Sequence, residues 1–252
     1  STPQTGAVIT DQQQKAAMRG MFSRIAAQYD TINRIISLGQ DQRLRREIVR
    51  RAQLPRAGVL LDVASGTGDV ALVARRRYPE ARIVGVDLTW AMLRGAQAKS
   101  AQRVPAPPAS APRDSAPLWG VGDGLALPFP AAAFDAVISA FMLRNVPDVR
   151  QAIVEQVRVL RPGGRVVCLE MSWPQWFPMS VLFDIYFNRW VPLIGRLISR
   201  DANAYTYLPR SVKHFLRPAQ VARHMESAGL CDISVTKRML GTAVIYVGEK
   251  PL

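Results

Sequence analysis

The segment DVASGTGD is the first stretch of the chain whose residue types and spacing are suited to chemistry. Gly66 and Gly68 follow an apolar run directly, and Asp62 and Asp69 lie on either side of them. A glycine-rich turn between a strand and a helix presents backbone N–H groups to a nucleotide-like ligand. With Asp87 about 20 residues further on, the segment satisfies the dinucleotide-binding pattern.

The acidic residues around this turn distinguish between two kinds of ligand. A pyrophosphate at the helix N-terminus would face Asp69 and Asp62, and like charges in a partly desolvated cleft cost on the order of several kcal/mol. S-adenosylmethionine has no phosphate, and its sulfonium and ammonium groups favour acidic neighbours. Asp87 is suited to accept hydrogen bonds from both ribose hydroxyls, and Asp123 from the adenine amino group. The turn therefore predicts an S-adenosylmethionine site. The alternatives are a tight turn without a ligand and, for Asp87 alone, a helix N-cap.

The elements that must position these residues follow an alternating pattern. Amphipathic spacing predicts helices over 11–38 and 41–53. Further helices are predicted over 69–78, 90–100, 149–160, 179–198 and 218–228. Strands are predicted over 59–64, 82–86, 118–121, 136–140, 165–169, 232–237 and 242–248. Short apolar strands alternating with helices predict an α/β fold with a doubly wound, mostly parallel, seven-stranded sheet.

We expect one domain with four parts. These are an N-terminal helical cap (1–54), a cofactor-binding core (55–170), a helical lid over the substrate cavity (171–216), and a closing helix with two strands (217–252). The lid is expected over the carboxyl edge of the sheet, where ligands bind in such folds. A Pro/Ala-rich segment, 103–117, is interpreted as a surface excursion.

Composition limits the other classes of function. His214 and His224 have no partner at metal-ligand spacing, so no metal site is predicted. Cys168 and Cys231 are expected to be buried free thiols. The longest apolar stretch, 177–199, is interrupted by charges and proline, which argues against a membrane span. The sequence given opens without a leader pattern, so we expect a cytoplasmic protein.

The formal net charge is +14, and 28 of the 33 cationic residues are arginine. Attraction to anionic lipid or nucleic acid and a plain compositional bias both explain such a charge. No basic stretch is interleaved with aromatic residues that would stack bases, and we expect no nucleic-acid partner.

Five segments resemble, in order and spacing, the class I S-adenosylmethionine-dependent methyltransferases, and in particular the ubiquinone/menaquinone biosynthesis C-methyltransferases. They are DVASGTGD, GVDLTWAML, GDGLALPF, FDAVISAFMLRNV and VLRPGGRVVCLE. Residues 21–39 are similar to that family's N-terminal helices, and 183–212 to its lid. The glycine motif is typical of the whole superfamily, whereas LRNV, YDTIN and DANAYTYLPRSV are much more specific. The resemblance covers nearly all of the chain except its first residues and the Pro-rich insert.

The resemblance implies a set of residues for each ligand. The cofactor set is Asp62, Gly66, Thr67, Gly68, Asp87, Leu88, Asp123, Gly124 and Ala140, where many relatives have serine at the last position. Tyr29, Arg144 and Asn145 are implied at the reacting ring. Arginine stays protonated in proteins, so Arg144 is expected to pair with a developing phenolate rather than to accept its proton. Asp30 is the first candidate for that proton, before Asp184 and Asp201. The structural alternatives are an ion pair for Arg144 and helix packing for Tyr29.

The activity implied is methylation of a ring carbon of a prenylated quinol, which converts demethylmenaquinol to menaquinol, or the equivalent step toward ubiquinone. A small-molecule O- or C-methyltransferase is the main alternative, because Met142 and Arg210 depart from the family pattern. A nucleic-acid methyltransferase is disfavoured, since no N/D-P-P-aromatic motif follows the fourth strand. A non-enzymatic scaffold is disfavoured by the intact Asp62, Gly66, Gly68 and Asp87.

A membrane-buried substrate implies peripheral docking on the cytoplasmic face of a membrane. We expect the apolar lid at 176–198 and a basic face to contact anionic headgroups, with Arg189, Arg196 and Arg200 as contacts. A homodimer is compatible with the sequence, which does not fix the oligomeric state.

Overall fold

The computed structural model describes residues 10–103, 116–198 and 202–252. Within these residues one sheet is flanked by helices. Its strands are β1 (Val59–Val63), β2 (Arg82–Asp87), β3 (Leu118–Val121), β4 (Phe134–Ala140), β5 (Leu160–Met171), β6 (Cys231–Arg238) and β7 (Ala243–Glu249). Its helices are α1 (Asp11–Ile25), α2 (Tyr29–Ile36), α3 (Asp41–Arg51), α4 (Asp69–Arg77), α5 (Trp90–Arg103), α6 (Val149–Val159), α7 (Met179–Ile185), α8 (Val191–Ile198), α9 (Ala202–His214) and α10 (Pro218–Ser227).

The strand order determines where a ligand can bind. The described strands form a seven-stranded sheet in the order β3-β2-β1-β4-β5-β7-β6, with β1 to β5 parallel and β7 antiparallel to both neighbours. The order reverses between β1 and β4, and such a switch point opens a crevice at the carboxyl ends of the strands. Val63 of β1 pairs with Val86 of β2 and Ser139 of β4, so the loops after these three strands emerge side by side.

Two apolar layers hold the helices against the sheet. On one face, Leu44 and Ile48 of α3 pack with α4 and the strands. On the other face, Ile153 of α6 and Val221 of α10 pack against the alternate side chains of the same strands. The near-continuous apolar runs of the inner strands are explained by burial on both faces. The predicted fold class is confirmed.

Three features of the structure differ from what the sequence led us to expect. The continuous helix predicted over 11–38 is broken by a turn at 26–28, so that α2 begins at Tyr29. Ile32 then packs with Met21 of α1 and Met92 of α5, which apolar spacing alone does not reveal. Helix α9 was not predicted, because Pro209 lies inside it and proline normally ends a helix. Cys231 is exposed, whereas Cys168 is buried as expected.

The helical segment over 179–198 contains one irregularity. Between α7 and α8 the chain forms a π-helical turn, Tyr186–Trp190. Among the described helices, none is both long and apolar enough to cross a bilayer. Most of the Pro-rich insert, 103–117, lies outside the described residues, as do Arg200 and Asp201 and the side chain of Arg196.

Candidate active site

Asp87 links the glycine turn to the end of β2. Its Oδ2 accepts a hydrogen bond from the Gly66 N–H at 2.9 Å, and its Oδ1 accepts from the Thr89 N–H at 2.7 Å. Gly66 and Gly68 have positive φ angles of 56° and 81°, which glycine adopts without steric cost. Burial raises the pKa of the Asp87 carboxyl. A buried carboxylate with free lone pairs is thereby fixed at the switch point of the sheet.

A small cavity of about 110 Å³ lies at this point, between the strand ends and α1. Six of the predicted cofactor residues line it: Gly66, Asp87, Leu88, Asp123, Gly124 and Ala140. Helix α1 closes the outer side with Lys15, Met18, Arg19 and Phe22. The volume is below the roughly 300–1,000 Å³ typical of small-molecule sites, with α1 covering the cavity.

The other three predicted cofactor residues do not line the cavity and support the turn instead. Asp62 is buried and accepts from the Ala71 N–H at 3.1 Å, which satisfies a free donor in the first turn of α4. Burial raises the pKa of Asp62 to about 8. Thr67 Oγ1 donates to Asp30 and lies 3.0 Å from Lys99 Nζ. Gly68 allows the close approach of Trp119 and Ala96.

The charges around the glycine turn differ from those that the sequence led us to expect. Asp69 is buried and paired with Lys99 at 2.6 Å and Arg45 at 3.6 Å. Burial acts to raise the pKa of Asp69, but Arg45 and Lys99 hold it below its ordinary value. Neither Asp69 nor Asp62 lines the cavity, so the predicted repulsion of a pyrophosphate by these two residues is not supported. The acids that do line it are Asp87 and Asp123.

The cavity lining nevertheless matches S-adenosylmethionine better than a dinucleotide. Its only cations, in the part of the chain that the structure describes, are Lys15 and Arg19, and both come from the covering helix α1. The basic residues nearest the glycine turn, Lys99 and Arg45, pair with Asp69 and do not line the cavity, so neither faces the position of a pyrophosphate there. Asp123 accepts from the Leu125 N–H at 2.9 Å and from Lys15 Nζ at 2.5 Å. Lys15 thus occupies a carboxylate oxygen that an adenine amino group would use.

The turn itself gives a testable prediction. In Gly68→Ala the new Cβ would lie 2.6 Å from Trp119 and 2.9 Å from Ala96, at a backbone conformation that disfavours side chains. We expect a loss of about 1–3 kcal/mol in the free energy of unfolding, and weaker S-adenosylmethionine binding by calorimetry. Gly120→Ala is the matched control, because no atom lies within 4 Å of its Cβ position. Equal stability and affinity of the two variants would contradict this role for Gly68.

A second cavity of about 810 Å³ lies beside the first. Tyr29 and Phe141 line both cavities and form the boundary between them. The walls of this large cavity are mainly apolar and come from α2, α3, α7 and the loop before β7. Among these wall residues are Ile36, Leu44, Met171, Phe183, Phe187 and Leu208. Phe183 and Phe187 belong to an aromatic cluster with Trp173.

Arg144 lies in the wall of the large cavity and is held by Glu170. Arg144 Nη1 donates to Glu170 Oε1 at 2.5 Å and to the Phe141 carbonyl at 3.0 Å. The Arg144 N–H also donates to Glu170 Oε2 at 3.1 Å. The Arg144 side chain is 9% exposed, and its Nε is buried without a hydrogen-bond partner among the described residues. The ion pair that the sequence left as an alternative therefore exists, and it still leaves Arg144 with a free donor.

Sequence reasoning missed Glu170 and Tyr207. Glu170 ends the apolar run VVCLE, and a lone carboxylate at the carboxyl end of a buried strand was the signal that could have found it. The Tyr207 hydroxyl donates to Asn145 Oδ1 at 3.2 Å, and burial raises the Tyr207 pKa. Asn145 also donates to the Phe141 carbonyl at 2.9 Å and lines the small cavity. Tyr29 lines both cavities, Arg144 lines the large one and Asn145 the small one, and their role at a reacting ring stays a prediction.

The candidate proton acceptors are placed differently. Asp30 forms an ion pair with Lys99 at 2.5 Å and lines neither cavity. Asp184 lies within 3.8 Å of Lys213 on the surface. Met142, one of the two departures from the family pattern, packs against Gly124, where an added Cβ would lie 3.1 Å from its sulfur. The other departure, Arg210, is exposed and borders a separate depression behind Arg144.

Comparisons with known proteins identify the family to which this chain belongs. The chain is 41% identical to the demethylmenaquinone methyltransferase of Thermus thermophilus, over 92% of this chain and all of that protein. It is 39% identical to the ubiquinone/menaquinone biosynthesis C-methyltransferase UbiE of Desulfotalea psychrophila, over 91% of this chain and 89% of that protein. A Thermotoga maritima structure described as a SAM-dependent methyltransferase, 16% identical, superposes with a TM-score of 0.62 over 92% of this chain and 99% of that one. The model of the ubiE/COQ5 methyltransferase family matches residues 9–250, and this chain belongs to that family.

Proposed function

We propose that this protein transfers a methyl group from S-adenosylmethionine to a ring carbon of a prenylated quinol, as in the conversion of demethylmenaquinol to menaquinol. The observation that carries the proposal is the shared boundary of the two cavities. A small cavity with two carboxylates meets a large apolar cavity at Tyr29 and Phe141. A cofactor on one side and an apolar substrate on the other would bring their reacting atoms together there.

The cofactor is assigned to the small cavity. Asp87 would accept hydrogen bonds from the ribose hydroxyls, and Asp123 from the adenine amino group once Lys15 has moved aside. When bound, S-adenosylmethionine would supply the methyl group. A bond would form between the ring carbon and the methyl carbon as the bond between methyl and sulfur breaks, and S-adenosylhomocysteine would remain. The methylated ring carbon would then release its proton to water, and the ring would regain its aromaticity.

Arg144 is the residue assigned to activate the quinol. A ring carbon becomes a strong nucleophile when a neighbouring hydroxyl ionises, and a guanidinium stabilises the resulting phenolate. Arg144 lines the large cavity, and its side chain is 9% exposed. We assign Tyr29, which lines both cavities, and Asn145, which lines the small one, to the ring oxygens. Asp30 is engaged by Lys99, so we assign the hydroxyl proton to water at the open side of the large cavity rather than to this carboxylate.

The exposed apolar surface of the lid supports peripheral association with a membrane. Trp176, Phe177, Val181, Leu182, Ile185, Trp190 and Leu193 are large apolar side chains that remain exposed on α7, α8 and the segments around them. A patch of this kind on a water-soluble surface usually marks an interaction site. Arg189 is exposed beside Trp190 and can pair with an anionic headgroup. A bilayer surface would cover this patch and supply the prenylated substrate.

The proposed reaction is tested with purified protein and S-adenosylmethionine carrying an isotopically labelled methyl group. Demethylmenaquinol and its benzoquinol counterpart are offered separately, and the products are analysed by mass spectrometry. We expect labelled methyl on a ring carbon of at least one of the two quinols. Methylation confined to oxygen, or to phenols without a prenyl tail, would favour the small-molecule alternative and contradict the proposal.

A further inference from the structure

Outside the candidate active site, the strongest concentration of charge is a groove between α3 and α4. This arginine groove has a volume of about 820 Å³ and is lined by Arg43, Arg46, Glu47, Val49, Arg50, Val73, Arg76 and Arg77. Its five arginines are exposed. Arg43, Arg46 and Arg50 follow the three- and four-residue spacing that places side chains on one helix face. Two short segments of sequence thus bring five cations to one surface.

The charge of the arginine groove is not neutralised by its own surroundings. Within the described parts of the chain, none of the five arginines forms an ion pair with a carboxylate. Glu47 is the acidic residue of the lining, and it is held by Arg51 and Arg238, each at 2.7 Å. Arg76 and Arg77 lie in the last turn of α4, where the helix dipole offsets part of their mutual repulsion. The groove therefore remains an open cationic site.

The arginine groove is continuous with the mouth of the large cavity. Arg43 and Glu47 line both of them. The mouth carries three apolar side chains that are largely exposed, namely Leu38 (80%), Leu182 (56%) and Leu240 (64%). Cations beside an exposed apolar rim are the combination by which peripheral proteins bind the headgroup region of a bilayer. Among the residues that the structure describes, no aromatic side chain that could stack a base lines the groove.

We propose that the arginine groove is a docking site for anionic phospholipid headgroups, which holds the mouth of the large cavity against the bilayer. The occupant is argued from charge complementarity and from the apolar rim that continues the groove. The inference rests on the proposed function, since a prenyl tail would pass from the bilayer through that mouth. In this proposal the main electrostatic contact with the bilayer is made by the arginines of α3 and α4 rather than by Arg189.

The test compares two triple variants of the full chain. The groove variant carries Arg46→Gln, Arg50→Gln and Arg76→Gln, all outside both ligand cavities. The control carries Arg94→Gln, Arg150→Gln and Arg223→Gln, which removes the same charge from exposed positions on α5, α6 and α10. Binding is measured by co-sedimentation with vesicles of phosphatidylcholine, with and without phosphatidylglycerol, at low and high salt.

We expect the wild type and the control to bind the anionic vesicles, and this binding to weaken with salt. The groove variant should bind them on the order of 100-fold more weakly, at about 1 kcal/mol per arginine. Its S-adenosylmethionine affinity and its turnover of a short-chain, water-soluble quinol should match the wild type. Its turnover of a long-chain quinol in anionic vesicles should fall.

Two results would overturn the proposal: wild-type vesicle binding by the groove variant, or equal losses of vesicle binding in both triple variants. Competition by inorganic phosphate at millimolar concentration, with no preference for vesicles, would assign the groove to a free anion instead. A wild type that binds anionic vesicles through the groove but methylates no quinol would leave the docking site standing and remove the proposed reaction. Failure of the docking site and failure of the proposed methylation would therefore give different results.

Discussion

Replacing Arg144 by methionine is expected to lower kcat for quinol methylation by about 10²- to 10³-fold, the range measured when a donor to a developing oxyanion is removed. The affinity for S-adenosylmethionine should change little, because Arg144 lines the large cavity and not the small one. Steady-state kinetics with the isotope assay and calorimetry with the cofactor measure the two quantities separately.

Loss of Arg144 also leaves Glu170 buried without its partner, which costs about 3–5 kcal/mol of stability in comparable cases. The double variant Arg144→Met, Glu170→Gln removes both charges and should recover much of the thermal stability. If its kcat recovers as well, Arg144 acts only through folding and its assigned role is wrong. Arg144→Lys keeps the charge but not the planar fork, and we expect intermediate activity.

Glu170 is a positioning residue in this scheme. In Glu170→Gln one oxygen still accepts from Arg144, but the guanidinium loses its counter-charge and its fixed orientation. We expect kcat to fall while KM for the quinol stays within a few-fold of the wild-type value. A purely structural role for Glu170 would lower the melting temperature and leave the kcat of the folded fraction unchanged.

Replacing Asp87 by alanine is expected to weaken S-adenosylmethionine binding by about 10- to 100-fold, on the scale of charge-assisted hydrogen bonds. Two losses combine, because Asp87 would hold the ribose and also accepts from Gly66 and Thr89. Asp87→Asn keeps one acceptor for the backbone, so its loss should be smaller. Calorimetry provides the affinities, and unchanged binding by folded Asp87→Ala would remove Asp87 from the site.

The same carboxylate predicts a dependence of binding on pH. Burial raises the pKa of Asp87, so its carboxylate is lost at a higher pH than that of an exposed aspartate. The affinity of the wild type should therefore fall as the pH is lowered, and Asp87→Asn should show a flatter profile. Asp148→Asn is the control, because Asp148 caps α6 away from both cavities and should keep the wild-type profile.

Much of the candidate site follows from local sequence. Gly66 and Gly68 follow the apolar run of β1, and Asp87 ends the next strand, β2. All three residues belong to one βαβ unit, so their positions could be predicted from neighbouring residues alone. The specific segments LRNV and YDTIN identified the family and, through it, Arg144, Asn145 and Tyr29. Asp30 shows the limit of that method. Its neighbour Tyr29 lines both cavities, whereas Asp30 points to Lys99, 69 positions along the chain.

Asp62 and Asp69 show a second limit of prediction from the sequence. From the sequence, Asp62 and Asp69 flank the turn and were expected to repel a phosphate. In the fold, Asp62 supports the start of α4, and Asp69 is neutralised by Lys99 from α5 and Arg45 from α3. The direction of a side chain and the charges that meet it depend on helices distant in sequence. The prediction of an S-adenosylmethionine site therefore rests on Asp87 and Asp123, the acidic residues that line the small cavity.

By itself the sequence determined the fold class, the family and the glycine turn of this protein, because strand and helix periodicities and a glycine motif are properties of neighbouring residues. Only the tertiary structure decided which groups act together. It paired Glu170 with Arg144, brought Lys15 to Asp123, and joined the arginines of α3 and α4 into one groove beside the large cavity. These relations depend on how helices pack across the sheet, and side-chain packing between distant segments is set by the whole core rather than by any local pattern.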